Sequence, residues 1–447
     1  MNADIASLIA EASSERRSLA CVSRSWRSVF SSDDKVWAGS LYGDYRLREK
    51  VGPAKDEAGR FEVKSFPTFQ AAWLAWRNME RELEDAGDGR IRFASIWKRA
   101  IDAWATIRRE LAAMDVLRQT NLEPGRKDIV QTYRRGGTLA CLEENPRLLE
   151  SVRAIWGQHD GQNSRPGTGA LFGTAVFYDQ IRAIHLLPLA KVLAGSRSTD
   201  FNVPAGSFLL FGLGFRGSES VVYTNNRIIY APESAPYIMQ CEIPDEDPLV
   251  FFLERFAHDV SMYKRTEALI HRGVRVLSSF PQLGPRTSLA VTQNIRVKGA
   301  YTYIPGIQYT DGSLMWVYEF QIDLIDSTHP EYVKQEDRVW KNKAVLLTRH
   351  WTLVDPNKPP QVVQGDGVVG YNPCFDERSG RYREVLETMA WFPNPFAYRS
   401  CTYASPGSYM EGYLTFAPEH DDGSIEINRA FRVRVGRLSF QIPEFPF

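Results

Sequence analysis

The final third of the chain alternates between apolar and polar residues with a period of two, and this pattern constrains the fold most strongly. Side chains of a β-strand point to opposite faces in turn, so each run indicates a strand with one buried and one wet face. One side of these runs carries Trp316, Tyr318, Phe320, Ile322 and Leu324; Val345, Leu347, Arg349, Trp351 and Leu353; Met410, Gly412, Leu414 and Phe416; and Phe431, Val433 and Val435. Turns rich in Gly, Pro and Asp-Gly separate the runs, which predicts an antiparallel β-sandwich over residues 272–447.

Residues 1–120 have a helical texture instead, with apolar residues at spacings of three and four. The pattern predicts three short helices over residues 1–45 and, after a linker rich in Gly, Pro, Lys and Glu, further helices over residues 60–120. Large rings at helical spacing are far more often core than ligand platforms, so four tryptophans are expected inside. These are Trp73, Trp76, Trp97 and Trp104.

Residues 121–271 mix both textures and predict an α+β domain. Two β-branched arms flank Asn225-Asn226, which is a hairpin signal because Asn tolerates positive φ. Pro248–Tyr263 is predicted to be a closing amphipathic helix. The whole chain is therefore predicted to be multidomain α+β, with segments 1–45, 60–120, 121–271 and 272–447.

Charge and cysteine usage narrow the class of protein. Lys+Arg and Asp+Glu both total 54, so no overall field favours nucleic acid or an anionic membrane as a partner. The five cysteines contain no C-x-x-C pair and the seven histidines do not cluster with them, so neither a disulfide framework nor a metal site is predicted. No signal peptide or membrane span is recognised, and we expect an intracellular protein, cytoplasmic or nuclear or both.

The pattern G-x-G-x-x-G occurs twice, at Gly212/Gly214/Gly217 and at Gly365/Gly367/Gly370. A dinucleotide site needs a helix opening directly after the glycines, and the residues after both copies favour strands or turns. Tight β-turns are the preferred interpretation. An anion nest at Gly365–Gly370, in which backbone N–H groups hold phosphate without a helix, stays open as the alternative.

Catalytic machinery is not recognised in the sequence, which lacks G-x-S-x-G and H-E-x-x-H. His350 is the most tempting base, but on a strand it points away from Arg349 and Trp351. A half-buried strand with Trp351 in the core is therefore preferred, and no catalytic residue is predicted.

The N-terminal segment resembles the second half of an F-box, from Leu19 to Arg27 and then Asp33 to Trp37. Three helices of this length cannot bury their own apolar stripes, so the exposed remainder can dock a partner. The resemblance implies that this partner is the Skp adaptor, which links to a cullin. The positions that match the adaptor-binding pattern are Ile5, Leu8, Ile9, Leu19, Cys21, Val22, Trp26, Val36 and Trp37.

Two further segments resemble known domains. The middle segment is similar to the SUKH superfamily of α+β binding modules, at His159–Gln162, Leu171–Gly173 and Leu186–Leu189. The C-terminal segment resembles the ApaG domain at Leu346–Trp351, Gly365–Pro373, Tyr398–Ser400 and Met410–Tyr413. That resemblance implies a fibronectin-type-III-like, immunoglobulin-like sandwich. Its glycine turn, with Arg349, His350, Gly365, Gly367 and Gly370, is the candidate anion or ligand site.

The order F-box, SUKH-like and ApaG resembles the family of F-box only protein three and its plant Skp-interacting relatives. The resemblance implies a non-catalytic, cofactor-free substrate receptor of a Skp–cullin–F-box ubiquitin ligase, whose protein substrate the sequence does not name. One alternative is a sensor in which the ApaG turn binds a phosphorylated small molecule outside any ligase. Another is an enzyme acting on phosphoanhydrides.

Overall fold

The structure is a computed structural model, and it describes most of the chain from Asp34 to Phe445. The described ranges are 34–45, 47–55, 57, 61–83, 93–118, 120–125, 129, 132–133, 139–162, 169–178, 180–197, 209–214, 219–224, 227–232, 239–242, 246–263, 267–270, 274–384, 391–393 and 395–445. The fold is mixed helix and strand, with strands predominating in the C-terminal part.

The chain divides into two compact units. The first comprises residues 1–171, 185–229 and 240–261, and the second comprises residues 172–184, 230–239 and 262–447. The first unit contains the helices of the predicted segment 60–120 together with most of the predicted segment 121–271. As domain boundaries, the four predicted segments stay predictions.

From Asp34 to Tyr263 the chain is mainly helical at first and mainly strand later, and residues 172–184 and 230–239 of this stretch belong to the second unit. The helices are α1 (Asp34–Tyr45), α2 (Phe69–Leu83), α3 (Ala94–Ala113), α4 (Ala140–Glu143), α5 (Pro146–Gln158), α6 (Leu189–Gly195) and α7 (Pro248–Tyr263). The strands up to α7 are β1 (Val51–Lys55), β2 (Phe61–Ser65), β3 (Leu122–Pro124), β4 (His159–Gln162), β5 (Thr174–Phe177), β6 (Gln180–Leu186), β7 (Leu209–Gly214), β8 (Glu219–Thr224), β9 (Arg227–Pro232) and β10 (Met239–Glu242).

Helix α5 begins where the sequence provides an N-cap. The Asn145 side chain accepts a hydrogen bond from the Leu148 N–H at 3.0 Å, and Pro146 occupies the first turn, where its missing N–H costs nothing. The helix packs against α3, whose indoles bond to it. Trp97 donates to the Glu150 carboxylate at 2.6 Å and Trp104 donates to the Ile155 carbonyl at 3.2 Å.

The four tryptophans predicted to be core are buried: Trp73, Trp76, Trp97 and Trp104. The predicted closing helix is also confirmed, because α7 begins at Pro248 and ends at Tyr263 with its apolar stripe buried. Strands β8 and β9 are neighbours in one sheet, and the predicted hairpin turn at Asn225-Asn226 lies outside the described residues. The first described residues after the first glycine motif belong to strand β8.

Gln162, in the segment similar to the SUKH superfamily, organises the backbone around it. Its side-chain nitrogen donates to the carbonyls of Thr120 and Gly169, and its oxygen accepts from the N–H groups of Leu171 and Leu186. The side chain is almost fully buried. These residues therefore hold several chain segments together, while the relationship to the SUKH superfamily stays a prediction.

The second unit is built mainly from β-strands. After β11 (Glu267–Ile270) and β12 (Val274–Leu277), its strands are β13 (Thr287–Thr292), β14 (Ile295–Gln308), β15 (Leu314–Leu324), β16 (Lys343–Val354), β17 (Gln361–Asp366), β18 (Pro373–Asp376), β19 (Arg381–Glu384), β20 (Trp391–Pro393), β21 (Phe396–Ala404), β22 (Tyr409–Glu419) and β23 (Phe431–Ser439). Short 3-10 turns span Gln335–Asp337 and Ile427–Arg429.

Most of these strands form two sheets that enclose a single core. One has the order β13-β14-β15-β21, and the other has the order β20-β19-β18-β16-β22-β23, with β17 also paired to β16. Aromatic side chains fill the space between them, including a stack of Phe320 on Trp351 with ring centroids 5.1 Å apart. The predicted antiparallel two-sheet architecture is present. The likeness to fibronectin type III or immunoglobulin domains stays a prediction.

Strand β15 differs from the expected pattern of one buried and one wet face, because both of its faces are buried. Its outward residues Met315 and Val317 pack in a second cluster with Ala175 and Phe177 from β5. Glu319 is buried on this face and bonds to the Arg399 guanidinium at 2.6 Å. Strand β5 therefore packs on this face, and period two alone does not predict such a contact.

Strand β16 departs from regular alternation at Leu347, where the pairing with β22 shifts by one residue. Ala344 and Leu346 face the core before this bulge, and Trp351 and Leu353 face it afterwards. Val345 and Leu347 instead pack in a separate small cluster with Cys374. The expectation that Val345 and Leu347 share a face with Trp351 is therefore wrong, because an inserted residue reverses the facing of all that precede it.

Replacing Gln162 by Leu is expected to lower the free energy of unfolding by about 3 kcal/mol or more, because several buried backbone groups lose their partners. Chemical denaturation measures the change. Gln158→Leu is the matched control, since the Gln158 side-chain nitrogen is buried without a hydrogen-bond partner in the described part of the chain. Equal destabilisation by both substitutions would contradict the role of the Gln162 amide.

Candidate functional site

Most of the predicted adaptor-binding residues fall outside the described residues. These are Ile5, Leu8, Ile9, Leu19, Cys21, Val22 and Trp26. Val36 and Trp37 lie on α1, and the side chain of Trp37 is described.

The Trp37 ring packs inside the first unit. It is 7% exposed and contacts Trp73 of α2, with ring centroids 5.1 Å apart. At the other end of α1, the buried Tyr45 ring lies 5.8 Å from that of Trp76. The chain itself therefore covers Trp37. The Trp37 ring fixes α1 onto α2, and its role as an adaptor contact stays a prediction.

Trp37→Ala is expected to lower the free energy of unfolding by about 3 kcal/mol, because it removes a buried indole from the α1–α2 contact. Tyr42→Ala on the same helix is the control, since Tyr42 is 41% exposed, and a change below about 1 kcal/mol is expected there. Chemical denaturation compares the two. A Trp37 variant as stable as the Tyr42 variant would show that the indole contact does not hold the helix.

Arg349 and His350 point to opposite faces of the sheet as neighbouring strand residues do, and the bulge at Leu347 decides that Arg349 takes the inner face. Arg349 lies opposite Leu414 of β22 and shares the inner face with Trp351, whose ring is in the core. His350 faces outward and stacks on the Tyr413 ring, with centroids 4.6 Å apart at 8°. The Arg432 guanidinium lies 4.3 Å from the centroid of the same ring. The predicted opposite facing of His350 and Trp351 is confirmed.

The second glycine motif forms a tight turn after β17. The Val368 N–H donates to the Tyr371 carbonyl at 2.8 Å and the Tyr371 N–H returns a bond to Val368 at 2.9 Å. Val369 and Gly370, the two central residues, have φ of 52° and 83°, as in a type I′ turn. A β-branched residue in this region is strained by about 1–3 kcal/mol, so the surrounding bonds must impose the conformation on Val369.

Hydrogen bonds with residues of β16 hold this turn in place. The Leu347 carbonyl at the bulge accepts from the Gly367 N–H at 2.8 Å and from the Asn372 side-chain amide at 3.3 Å. The Arg349 guanidinium donates to the carbonyls of Asp366 and Gly367 at 3.2 and 3.0 Å. A Cβ atom added at Gly365 would lie 3.3 Å from the central guanidinium carbon of Arg349. Arg349, Gly365, Gly367 and the bulge therefore form one assembly.

Several N–H groups of this turn already donate hydrogen bonds within the chain. The N–H groups of Gly367, Val368 and Tyr371 all donate to carbonyls of the chain, so an anion would meet mainly the N–H groups of Val369 and Gly370. Strands, rather than a helix, follow the motif. The geometry favours the tight-turn interpretation, and the anion nest stays a prediction.

Hydroxyl groups that the sequence did not single out lie near Arg349 between the sheets. The Tyr398 hydroxyl is buried and has no hydrogen-bond partner among the described residues. Burial raises the pKa of Tyr398 well above its usual value, while the Arg349 charge acts in the opposite direction. Tyr318 and Ser400 lie opposite each other on β15 and β21, and burial raises the pKa of Tyr318 to about 12. Tyr178 shares a 2.7 Å hydrogen bond with Ser400.

Alternating apolar and polar positions could not predict this cluster, because the hydroxyls belong to rings that count as apolar. Among the cysteines with described side chains, burial raises the pKa of the thiols of Cys141, Cys374 and Cys401, which makes them poor nucleophiles. Within the described residues, no group of three or more His, Cys, Asp and Glu side chains could hold a metal ion. None of the described helices is long and apolar enough to cross a membrane.

The chain is similar to an F-box protein along almost its whole length. F-box protein SKIP16 of Arabidopsis thaliana is 22% identical over 476 residues, which span 96% of this chain and 94% of the relative. No protein-family profile matches. Among solved structures, the X-ray structure of the structural-genomics target SoR45 is 24% identical and covers 34% of this chain and 90% of its own, with a TM-score of 0.23. The putative ApaA protein of Bordetella pertussis is 18% identical and covers 34% and 95%, with a TM-score of 0.23.

Gly367→Ala is expected to destabilise the second unit by at least about 3 kcal/mol, because positive φ and overlap with backbone act together. The added Cβ would lie 2.3 Å from the Tyr371 carbonyl oxygen. Gly370→Ala is the matched control, with positive φ and no atom within 4 Å of its Cβ, and about 1 kcal/mol is expected. Chemical denaturation of both variants tests whether Gly367→Ala is the more destabilising substitution. A larger effect at Gly370 would contradict this account of the turn.

Proposed function

We propose that this chain is the substrate-receiving subunit of a Skp–cullin–F-box ubiquitin ligase. The observation that carries the proposal is its similarity to an F-box protein over 96% of the chain and 94% of the relative. An alignment of that extent includes the N-terminal segment, in which the F-box pattern was recognised, as well as the C-terminal sandwich. It therefore supports a shared domain order rather than one shared module.

In this function the chain acts by proximity. A receptor that binds both the adaptor and a substrate raises the effective concentration of the substrate at the ubiquitin-carrying enzyme. Such a subunit needs binding surfaces and no catalytic group of its own. The raised thiol pKa values and the outward stacking of His350 on Tyr413 fit a binding role.

The adaptor would dock on the N-terminal segment, residues 1–45, through the apolar positions that match the adaptor-binding pattern. Trp37 is one of these positions, and its ring also anchors α1 to Trp73. Substrate recruitment would fall to the SUKH-like and ApaG-like parts of the chain. This division keeps the adaptor and the substrate on separate segments, as a bridging subunit requires.

Trp26→Ala in the full chain is expected to weaken binding of a purified Skp-type adaptor by about thirtyfold, because truncating a tryptophan anchor of an interface costs about 2 kcal/mol or more. Ser23→Ala is the neighbouring control and should bind like the unaltered chain. Surface-immobilised adaptor measures Kd for each. If the unaltered chain does not bind the adaptor, or if Trp26→Ala binds it equally well while folded, the docking assignment is wrong.

A further inference from the structure

The outer edge of β17 carries exposed apolar side chains. Among the described strands, β17 pairs with β16 alone. Val362 and Val363 are 58% and 38% exposed. An edge strand presents unpaired N–H and C=O groups, and exposed β-branched residues beside them make the edge a template for another strand.

The neighbouring ladder shows which main-chain groups point outward. Gly367 donates to Leu347 across the β16–β17 pairing, and residues facing their partner alternate along an antiparallel pair. Gly365 and Val363 therefore direct their N–H and C=O groups toward β16. Val362 and Gln364 direct theirs outward, away from β16, where an added strand would pair with them.

Other strand edges of this unit are covered or shortened. Strands β13 and β23 pack together, with a Cβ at Gly436 falling 2.9 Å from that of Ser288. The Tyr178 hydroxyl reaches Ser400 on β21, and β20 spans only Trp391–Pro393. By contrast, β17 contains no proline and carries a charge only at its last residue, Asp366, whereas charges and prolines usually discourage strand addition.

Arg349 gives this edge a preference for negative charge. Its side chain crosses β17 at Gly365, because a glycine leaves room for the guanidinium. The bonds described for it go to main-chain carbonyls, and no carboxylate pairs with it among the described residues. Buried or half-buried arginines elsewhere in this unit do pair with carboxylates: Arg296 with Asp323, Arg338 with Glu377, Arg383 with Glu419 and Arg399 with Glu319.

We propose that β17 binds an extended segment of a partner protein by strand addition, with an acidic side chain of that segment placed beside Gly365 against Arg349. Strands lie about 4.8 Å apart, and a residue opposite Gly365 would project to the same inner face as the guanidinium. Main-chain pairing with Val362 and Gln364 supplies affinity, and the acidic residue fixes the register. The identification of that partner as the recruited substrate rests on the proposed function. The peptide-binding activity itself does not depend on the proposed function.

The first test selects linear peptides from a random library on the immobilised full chain, without the Skp adaptor. Enrichment of peptides with one Asp or Glu flanked by β-branched residues is expected. Failure to enrich any peptide, or enrichment of sequences without an acidic residue, overturns the proposal. Because no adaptor is present, this result is independent of whether the N-terminal segment docks one.

The second test uses a selected peptide and fluorescence anisotropy. N-methylation of alternate peptide amides, those facing β17, should abolish binding, whereas methylation of the other alternate set should leave Kd unchanged. This comparison needs no protein variant, so it cannot be confused with misfolding. Equal effects of both methylated sets would show that the peptide does not bind as a strand and would overturn the proposal.

A double-mutant cycle tests the acidic contact. Arg349→Gln should weaken the peptide about tenfold or more, as for a hydrogen bond to a charged group, and should have little further effect on a peptide with Gln in place of its acidic residue. Arg432→Gln, on the outer face, is the matched control and should not change Kd. If the two substitutions change the binding free energy additively, the contact between Arg349 and the acidic residue does not form. Pyrophosphate binding that Arg349→Gln removes, in a chain that enriches no peptide, would assign Arg349 to an anion site instead.

Discussion

The bulge at Leu347 is the constraint on which the organisation of the second unit depends. Leu346 and Trp351 both face the core although they are five positions apart, which a regular strand forbids because residues an odd number of positions apart point to opposite faces. Because of the extra residue, Trp351 points into the aromatic core, and Arg349 points to the same inner face. The displaced Leu347 carbonyl then accepts from Gly367 and Asn372. Core packing and turn geometry therefore stabilise each other.

Much of this unit could be predicted from the sequence, and the bulge shows where such prediction stops. Alternation of large apolar residues marked the strands and placed Trp351 inside, because a half-buried strand has few other solutions. The run Val345-Leu346-Leu347 is apolar at every position, so nothing in it indicates which residue is inserted. Glu319 illustrates the second limit. A charged residue at an outward position was expected in water, but its partner Arg399 allows it to be buried.

The N-terminal segment shows a different limit. A short amphipathic helix needs a surface to cover its apolar stripe, but its sequence does not tell whether that surface belongs to the same chain. Trp37 fits the pattern of an adaptor contact, yet Trp73, far along the chain, already covers it. The two roles are compatible, because a docking helix must itself be held in place. A rigid support lowers the conformational entropy that is lost when a partner binds.

Each glycine of the second motif has its own structural reason, and none of these reasons requires a nucleotide. Gly365 leaves room for the Arg349 guanidinium, Gly367 avoids the Tyr371 carbonyl, and Gly370 adopts positive φ with free space around it. A sequence motif records only that three small residues are needed at these spacings. Here the three glycines lie in succession on strand β17, beside the Tyr371 carbonyl and in a type I′ turn, and these structures set their spacing. The same glycines also bring Arg349, which has no carboxylate partner among the described residues, to the β17 strand.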